Sequence, residues 1–181
     1  DDEVATKNSF SYTGKISVVP LNAETPVYRF YNNKKEAFFY TADLNEKQYV
    51  EQMSYIANPE GEKWPFIYQG STFSAAKLYG SSYEKIVPLQ EFYNTSTGAH
   101  FYTASSIEAS TLQEKIALGT SPFTYSGSVF DVYLNDPTPT FQGKEAAVHR
   151  FYNSGLDSHF YTADLEEKAL ITLLGGWNYE G

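Results

Sequence analysis

The sequence predicts a mainly β domain of three like units, each with one short helix, set about a pseudo-threefold axis. Three observations predict it. A fourteen-residue phrase occurs at 28–41, 90–103 and 149–162, reading YRFYNNKKEAFFYT, QEFYNTSTGAHFYT and HRFYNSGLDSHFYT. Its first phenylalanine falls at 30, 92 and 151, spacings of 62 and 59 residues. A helix-start pattern and then an aromatic-x-Tyr-x-Gly segment follow each copy. Self-similarity of this length marks one supersecondary unit used repeatedly. A three-unit propeller-like array is the other architecture that such a repeat allows.

Each phrase reads as an antiparallel hairpin, with Phe-Tyr-Asn on the outgoing strand and Phe-Tyr-Thr on the return. Phe30, Phe92 and Phe151, with Phe39, Phe101 and Phe160, are expected to form repeated core layers. The helix starts are Asp43 to Glu46, Ser105 to Glu108 and Asp164 to Glu167. An acceptor followed three residues later by Glu is a capping box: the first side chain takes the N3 amide and the Glu reaches back to the cap amide. Seven positions after each cap stands an apolar residue, Val50, Leu112 or Ile171. The first helix should fade near Asn58-Pro59, the others at Gly119 and Gly175-Gly176. Phe66-Ile67-Tyr68-Gln69-Gly70, Phe123 to Gly127 and Trp177 to Gly181 then read as a half-buried strand ending in a turn, with a further strand beyond. That makes four short strands and one helix of about three turns per unit.

A fourth aromatic-x-Tyr-x-Gly copy, Phe10 to Gly14, precedes the first unit and runs on into Lys15-Ile16-Ser17-Val18, while the last copy stops at Gly181. The seam of a ring therefore falls inside a repeat, and residues 9–19 are expected to complete the last unit. On this reading residues 1–8 are a tail and 9–181 one domain, with units near 26–73, 88–130 and 147–181. The alternative is a piece cut from a longer array.

Composition fits such a domain. Of 181 residues, 17% are aromatic, with 16 Tyr and 13 Phe, and Tyr suits strands that are half buried. No apolar run approaches the length needed to span a bilayer. The formal charge of −9 gives no basic footprint for nucleic acid or anionic membrane. Cysteine is absent, which excludes a disulfide framework and thiolate chemistry. Asp1-Asp2-Glu3 is not the start of a signal peptide, as a mature chain would also read. A Ser, Thr, Asn and Tyr-rich chain poor in oxidisable residues suits a secreted or cell-surface setting.

The copies differ at their tips. Phe38, His100 and His159 precede Phe-Tyr-Thr, and Arg29, Glu91 and Arg150 precede Phe-Tyr-Asn. Asn32, Asn94 and Asn153 end the outgoing strands, where an Asx-type turn competes with ligand contact. His100 and His159 are open to two readings, internal hydrogen bonding or donation to sugar hydroxyls beside small, polar turns that include Asp157. Trp64 has no aligned aromatic in the other units, so it is either a stacking surface or a plug over the first unit's longer loop. No nucleophile elbow, zinc-protease motif, phosphate loop or dinucleotide fingerprint is present.

Taken together, the pattern PVYRFYN, HFYT, Asp/Ser-x-x-Glu and WxYEG resembles the tandem repeat of secreted and cell-surface proteins, mainly bacterial, that is attached to hydrolases, proteases and adhesin-like chains. The resemblance covers about 9–181. It implies a β-trefoil that binds glycans or cell walls, within a larger multidomain chain. The expectation is a non-catalytic, lectin-like module without cofactor or metal, neither inserted in a membrane nor bound to nucleic acid. Its ligand-binding candidates are His100, His159, Asn94, Asn153, Asp157 and Trp64, with units two and three binding better than unit one. The alternative is a spacer or protein-interaction module.

Overall fold

The computed structural model describes residues 16–18, 25–57, 61, 63–76, 86–134 and 146–181. The order of elements is β1 (Ile16–Val18), β2 (Pro26–Asn32), β3 (Ala37–Thr41), α1 (Leu44–Tyr55), β4 (Phe66–Ser74), β5 (Ile86–Asn94), β6 (His100–Thr103), α2 (Ser106–Ala117), β7 (Phe123–Leu134), β8 (Ala146–Asn153), β9 (Ser158–Thr162), α3 (Leu165–Leu174) and β10 (Asn178–Tyr179). The molecule is mainly β, with three small antiparallel sheets and three helices. Among the described residues the sheets do not close into a barrel. No described helix is long and apolar enough to cross a membrane.

Each repeat phrase is an antiparallel hairpin in the same register. Phe30 faces Phe39, Phe92 faces Phe101 and Phe151 faces Phe160. All six rings are buried. Each turn is set by its asparagine. The side-chain oxygens of Asn32, Asn94 and Asn153 accept from the amides two and three residues on, at 2.9–3.3 Å. Glu36, Gly98 and Asp157, the fourth residue after each asparagine, all adopt positive φ.

Four strands per repeat are expected; among the described residues there are three. Gly70 and Gly127 do not end a strand. They take φ of +92° and +115° and lie inside β4 and β7, which continue past them. The pairing slips at each glycine, from Phe92↔Tyr125 to Glu91↔Gly127 in the second unit. The glycine is thus a bulge, where a positive φ is most easily held by a residue without Cβ.

In the third unit that long strand is made of two pieces. β8 pairs with β10 through Tyr152↔Asn178 and Phe151↔Tyr179, and with β1 through Val148↔Ile16 to Ala146↔Val18. β1 also pairs with β7, which joins two of the sheets. Residues 9–15, on which part of the seam expectation rests, lie outside the described residues.

The helices start where the pattern placed them, but one half of the capping box is replaced. Asp43, Ser105 and Asp164 do cap their helices. Their own amides bond instead to Thr41, Thr103 and Thr162 Oγ1, at 2.9–3.0 Å. The threonine of Phe-Tyr-Thr thereby frees the glutamate for other work.

The centre is built on three tyrosines from the same position of the repeat. Tyr40, Tyr102 and Tyr161 are buried, with ring centroids 5.5–5.7 Å apart and planes at 83–87°. Tyr40 Oη donates to the Tyr161 carbonyl, Tyr161 Oη to the Tyr102 carbonyl and Tyr102 Oη to the Tyr40 carbonyl, at 2.9–3.2 Å. Each hydroxyl also accepts the amide of the residue whose carbonyl it meets, at 2.9–3.0 Å. The cycle closes with every hydroxyl used twice. Val27, Leu89, Val132 and Val148 surround it.

Candidate functional site

The two histidines belong to the junctions between units. His100 packs on Phe39 of the first unit at 5.1 Å, and His159 on Phe101 of the second at 5.0 Å. Phe38 occupies the same place on Phe160 at 4.9 Å. His100 Nδ1 lies 2.7 Å from Glu91, and His159 Nε2 lies 3.5 Å from Glu180. The remaining candidates are similarly engaged. Asn94 is buried and donates to Asp157 at 3.2 Å, and Asp157 also accepts from Tyr152 Oη at 2.7 Å. Burial and that carboxylate push the Tyr152 hydroxyl up to about 12. Asn153 holds its turn. Trp64 is 37% exposed and stands edge-on to Tyr49 of α1 at 5.5 Å, so it combines a plug with an open edge.

The freed glutamates complete the junctions. Arg29 donates to both carboxylate oxygens of Glu167 at 2.9 and 2.6 Å, and Arg150 to both of Glu108 at 3.2 Å. Each guanidinium lies over a phenylalanine of the unit it reaches, Phe160 at 4.9 Å and Phe101 at 5.4 Å. Arg150 Nε is also 2.8 Å from Glu180, a second ion pair for this guanidinium. The second unit carries Glu91 at the arginine position, and the corresponding Glu46 is exposed.

These buried groups fix the response to acid. Burial holds the His149 imidazole below its ordinary value of 6.5, helped by Lys168. Burial does the same to His159 and outweighs the attraction of Glu180. Burial opposes ionisation of Glu167 and Glu180, yet Arg29 and Thr162 hold the first, and His159 with Arg150 the second, below the ordinary 4.5. All four groups bind protons more readily in the unfolded chain. Stability should therefore be level from about pH 7 to 9, fall as the pH drops through 6.5, and fall again below 4.5. Melting temperatures across that range check this; a flat profile from pH 8 to about 5 would refute the histidine part.

A second set of repeated side chains faces outward. Tyr68, Tyr125 and Tyr179, the tyrosines of aromatic-x-Tyr-x-Gly, are 38, 45 and 50% exposed. Each ring lies 5.2 Å from the buried first phenylalanine of its unit, tilted by 44–52°. The inner ring fixes the outer one, and the outer ring keeps an open face. Around it the units differ. Tyr68 has Tyr28 at 6.3 Å and Lys47 at 4.7 Å, and Lys47 is paired with Glu51 at 2.7 Å. Tyr179 has His149 and Lys168. In unit two the corresponding residues are Gln90 and Ala109. Strand alternation places these tyrosines on the face of their inward aromatic neighbour, so local pattern does not single them out. The available signal was that tyrosine stands at this position in every copy.

The cavity lined by Tyr40, Leu89, Tyr102 and Val132 on the central cycle is about 10 Å³, too small for a sugar. Among the described residues no group of three metal-ligating side chains comes together. The family model described as a domain of unknown function, DUF5648, matches residues 1–79 and 61–181. The chain belongs to this family. No curated protein and no solved structure matches it. The two DUF5648 matches overlap over residues 61–79.

Proposed function

We propose that this chain is a non-catalytic carbohydrate-binding module of a secreted or cell-surface protein, built as a β-trefoil. The trefoil reading is supported by the cyclic tyrosine contacts and by junctions that reuse the same repeat positions. The binding reading is carried by Tyr68, Tyr125 and Tyr179, three equivalent exposed rings held by buried ones. An open aromatic face can stack on a sugar ring, while its hydroxyl and neighbouring side chains order the sugar's hydroxyls. Shallow sites of this kind bind weakly, so three on one scaffold would act through avidity on a polymer. This shifts the preferred contacts from His100 and His159, which have internal partners, to the tyrosines. The buried Arg, Glu and His groups are spent on junctions, which favours binding over catalysis.

A glycan array followed by titration tests the reading. Tyr68→Ala, Tyr125→Ala and Tyr179→Ala should each weaken binding to a polymeric hit stepwise, and the triple variant should abolish it with the fold intact by circular dichroism. Full binding by a folded triple variant would reject these sites. A protein-interaction module is the second reading, favoured by α3, where Leu165, Leu170, Leu173 and Leu174 are all exposed.

A further inference from the structure

The three tyrosine sites carry different charge, and that difference assigns them different ligands. In unit one Lys47 lies over Tyr68, but Glu51 neutralises it at 2.7 Å. In unit two the same helix position is Ala109. In unit three Lys168 lies 4.7 Å over the Tyr179 ring, with its Nζ 3.5 Å from Tyr179 Oη. Where unit one has Glu51, unit three has Thr172, whose hydroxyl bonds back to the Lys168 carbonyl at 2.8 Å. Among the described residues no carboxylate lies within ion-pair distance of Lys168. The nearby acids have other work: Asp164 caps α3, Glu167 holds Arg29, and Glu180 holds Arg150 and His159.

Building on the carbohydrate reading, we propose that the Lys168, His149 and Tyr179 site of unit three takes a sugar residue that bears a carboxylate, as hexuronic and sialic acids do. The exposed Tyr179 ring offers the stacking face. Lys168 supplies a cation at its edge. Tyr179 Oη, 2.9 Å from His149 Nδ1, can donate either to that nitrogen or outward to a carboxylate oxygen. When it turns outward, the Nδ1–H tautomer of His149 can donate to the phenolic oxygen, so neither group is left unpaired. Burial keeps His149 neutral near pH 7, which preserves that exchange. A charge-assisted hydrogen bond from Lys168 and one from Tyr179 would then hold the carboxylate. Units one and two lack an uncommitted cation at this place and suit neutral sugars.

The test is titration of the whole chain with two matched pairs, trigalacturonate against a neutral galactose trimer and sialyllactose against lactose. The wild type should favour the acidic member of at least one pair by about fivefold, the upper range for an exposed ion pair. Lys168→Gln should remove that preference by weakening binding of the acidic member, and Lys47→Gln should leave the preference in place. Amide shifts caused by the acidic sugar should centre on Tyr179. Equal affinity for acidic and neutral members, or a preference that survives Lys168→Gln, overturns this inference and leaves the carbohydrate reading standing. Absence of binding to any sugar on the array or in these pairs overturns both.

Discussion

Tyr102→Phe is expected to destabilise the domain by about 3 kcal/mol, because it strands two buried backbone groups at once. The Tyr102 hydroxyl accepts the Tyr40 amide at 3.0 Å and donates to the Tyr40 carbonyl at 3.2 Å. The site is fully buried, so neither group can turn to bulk water. The loss exceeds that of one ordinary hydrogen bond, since leaving a buried group unpaired costs its full desolvation. For a chain of 181 residues this corresponds to a melting temperature lower by about 6–12 °C. Tyr40→Phe and Tyr161→Phe should cost similar amounts, because each hydroxyl makes the same pair of bonds. The measurement is thermal and urea denaturation of the three variants. A change below about 1 kcal/mol in all three would mean that the cycle is not a principal support of the centre.

That cycle also shows what the sequence could and could not reveal. Three copies of Phe-Tyr-Thr were plain, and so were the hairpins and helix starts, because turns, caps and strand alternation are local. The choice of tyrosine over phenylalanine at Tyr40, Tyr102 and Tyr161 answers to carbonyls 59, 62 and 121 residues away, beyond any local pattern. The glutamates of the capping boxes misled for the same reason. Their spacing fits reciprocal capping, yet Thr103 serves the cap and Glu108 turns to an arginine of another unit. Gly70 and Gly127 were read as turn formers because glycine at the end of an alternation commonly is one; only the pairing shows a bulge. The histidines drew notice as polar residues near turns, and their partners Phe39 and Phe101 come from neighbouring units. Repetition identified the unit. What joins one unit to the next is a set of contacts between residues far apart in the chain.

Arg150→Met tests whether the junctions matter as much as the centre, and it should cost about 3–5 kcal/mol. Arg150 is buried between Glu108 and Glu180, so its removal leaves two carboxylates facing a junction without their cation. Methionine fills much of the space but supplies no charge. Arg29→Met should cost less, although the local sequence is nearly the same, because Glu167 is 29% exposed and can turn to water. The comparison separates burial from motif: equal losses in the two variants would contradict it. His159 gives a second readout. Arg150 opposes its protonation and Glu180 favours it, so without Arg150 the imidazole should titrate at higher pH, visible by nuclear magnetic resonance. Unit two already shows how a junction can dispense with the arginine. Glu91 stands in its place and finds His100 at 2.7 Å, while Glu46, the residue an arginine there would have met, faces solvent. The charge can therefore be exchanged only together with its partners, and Glu108→Gln added to Arg150→Met should recover part of the loss by removing one stranded carboxylate.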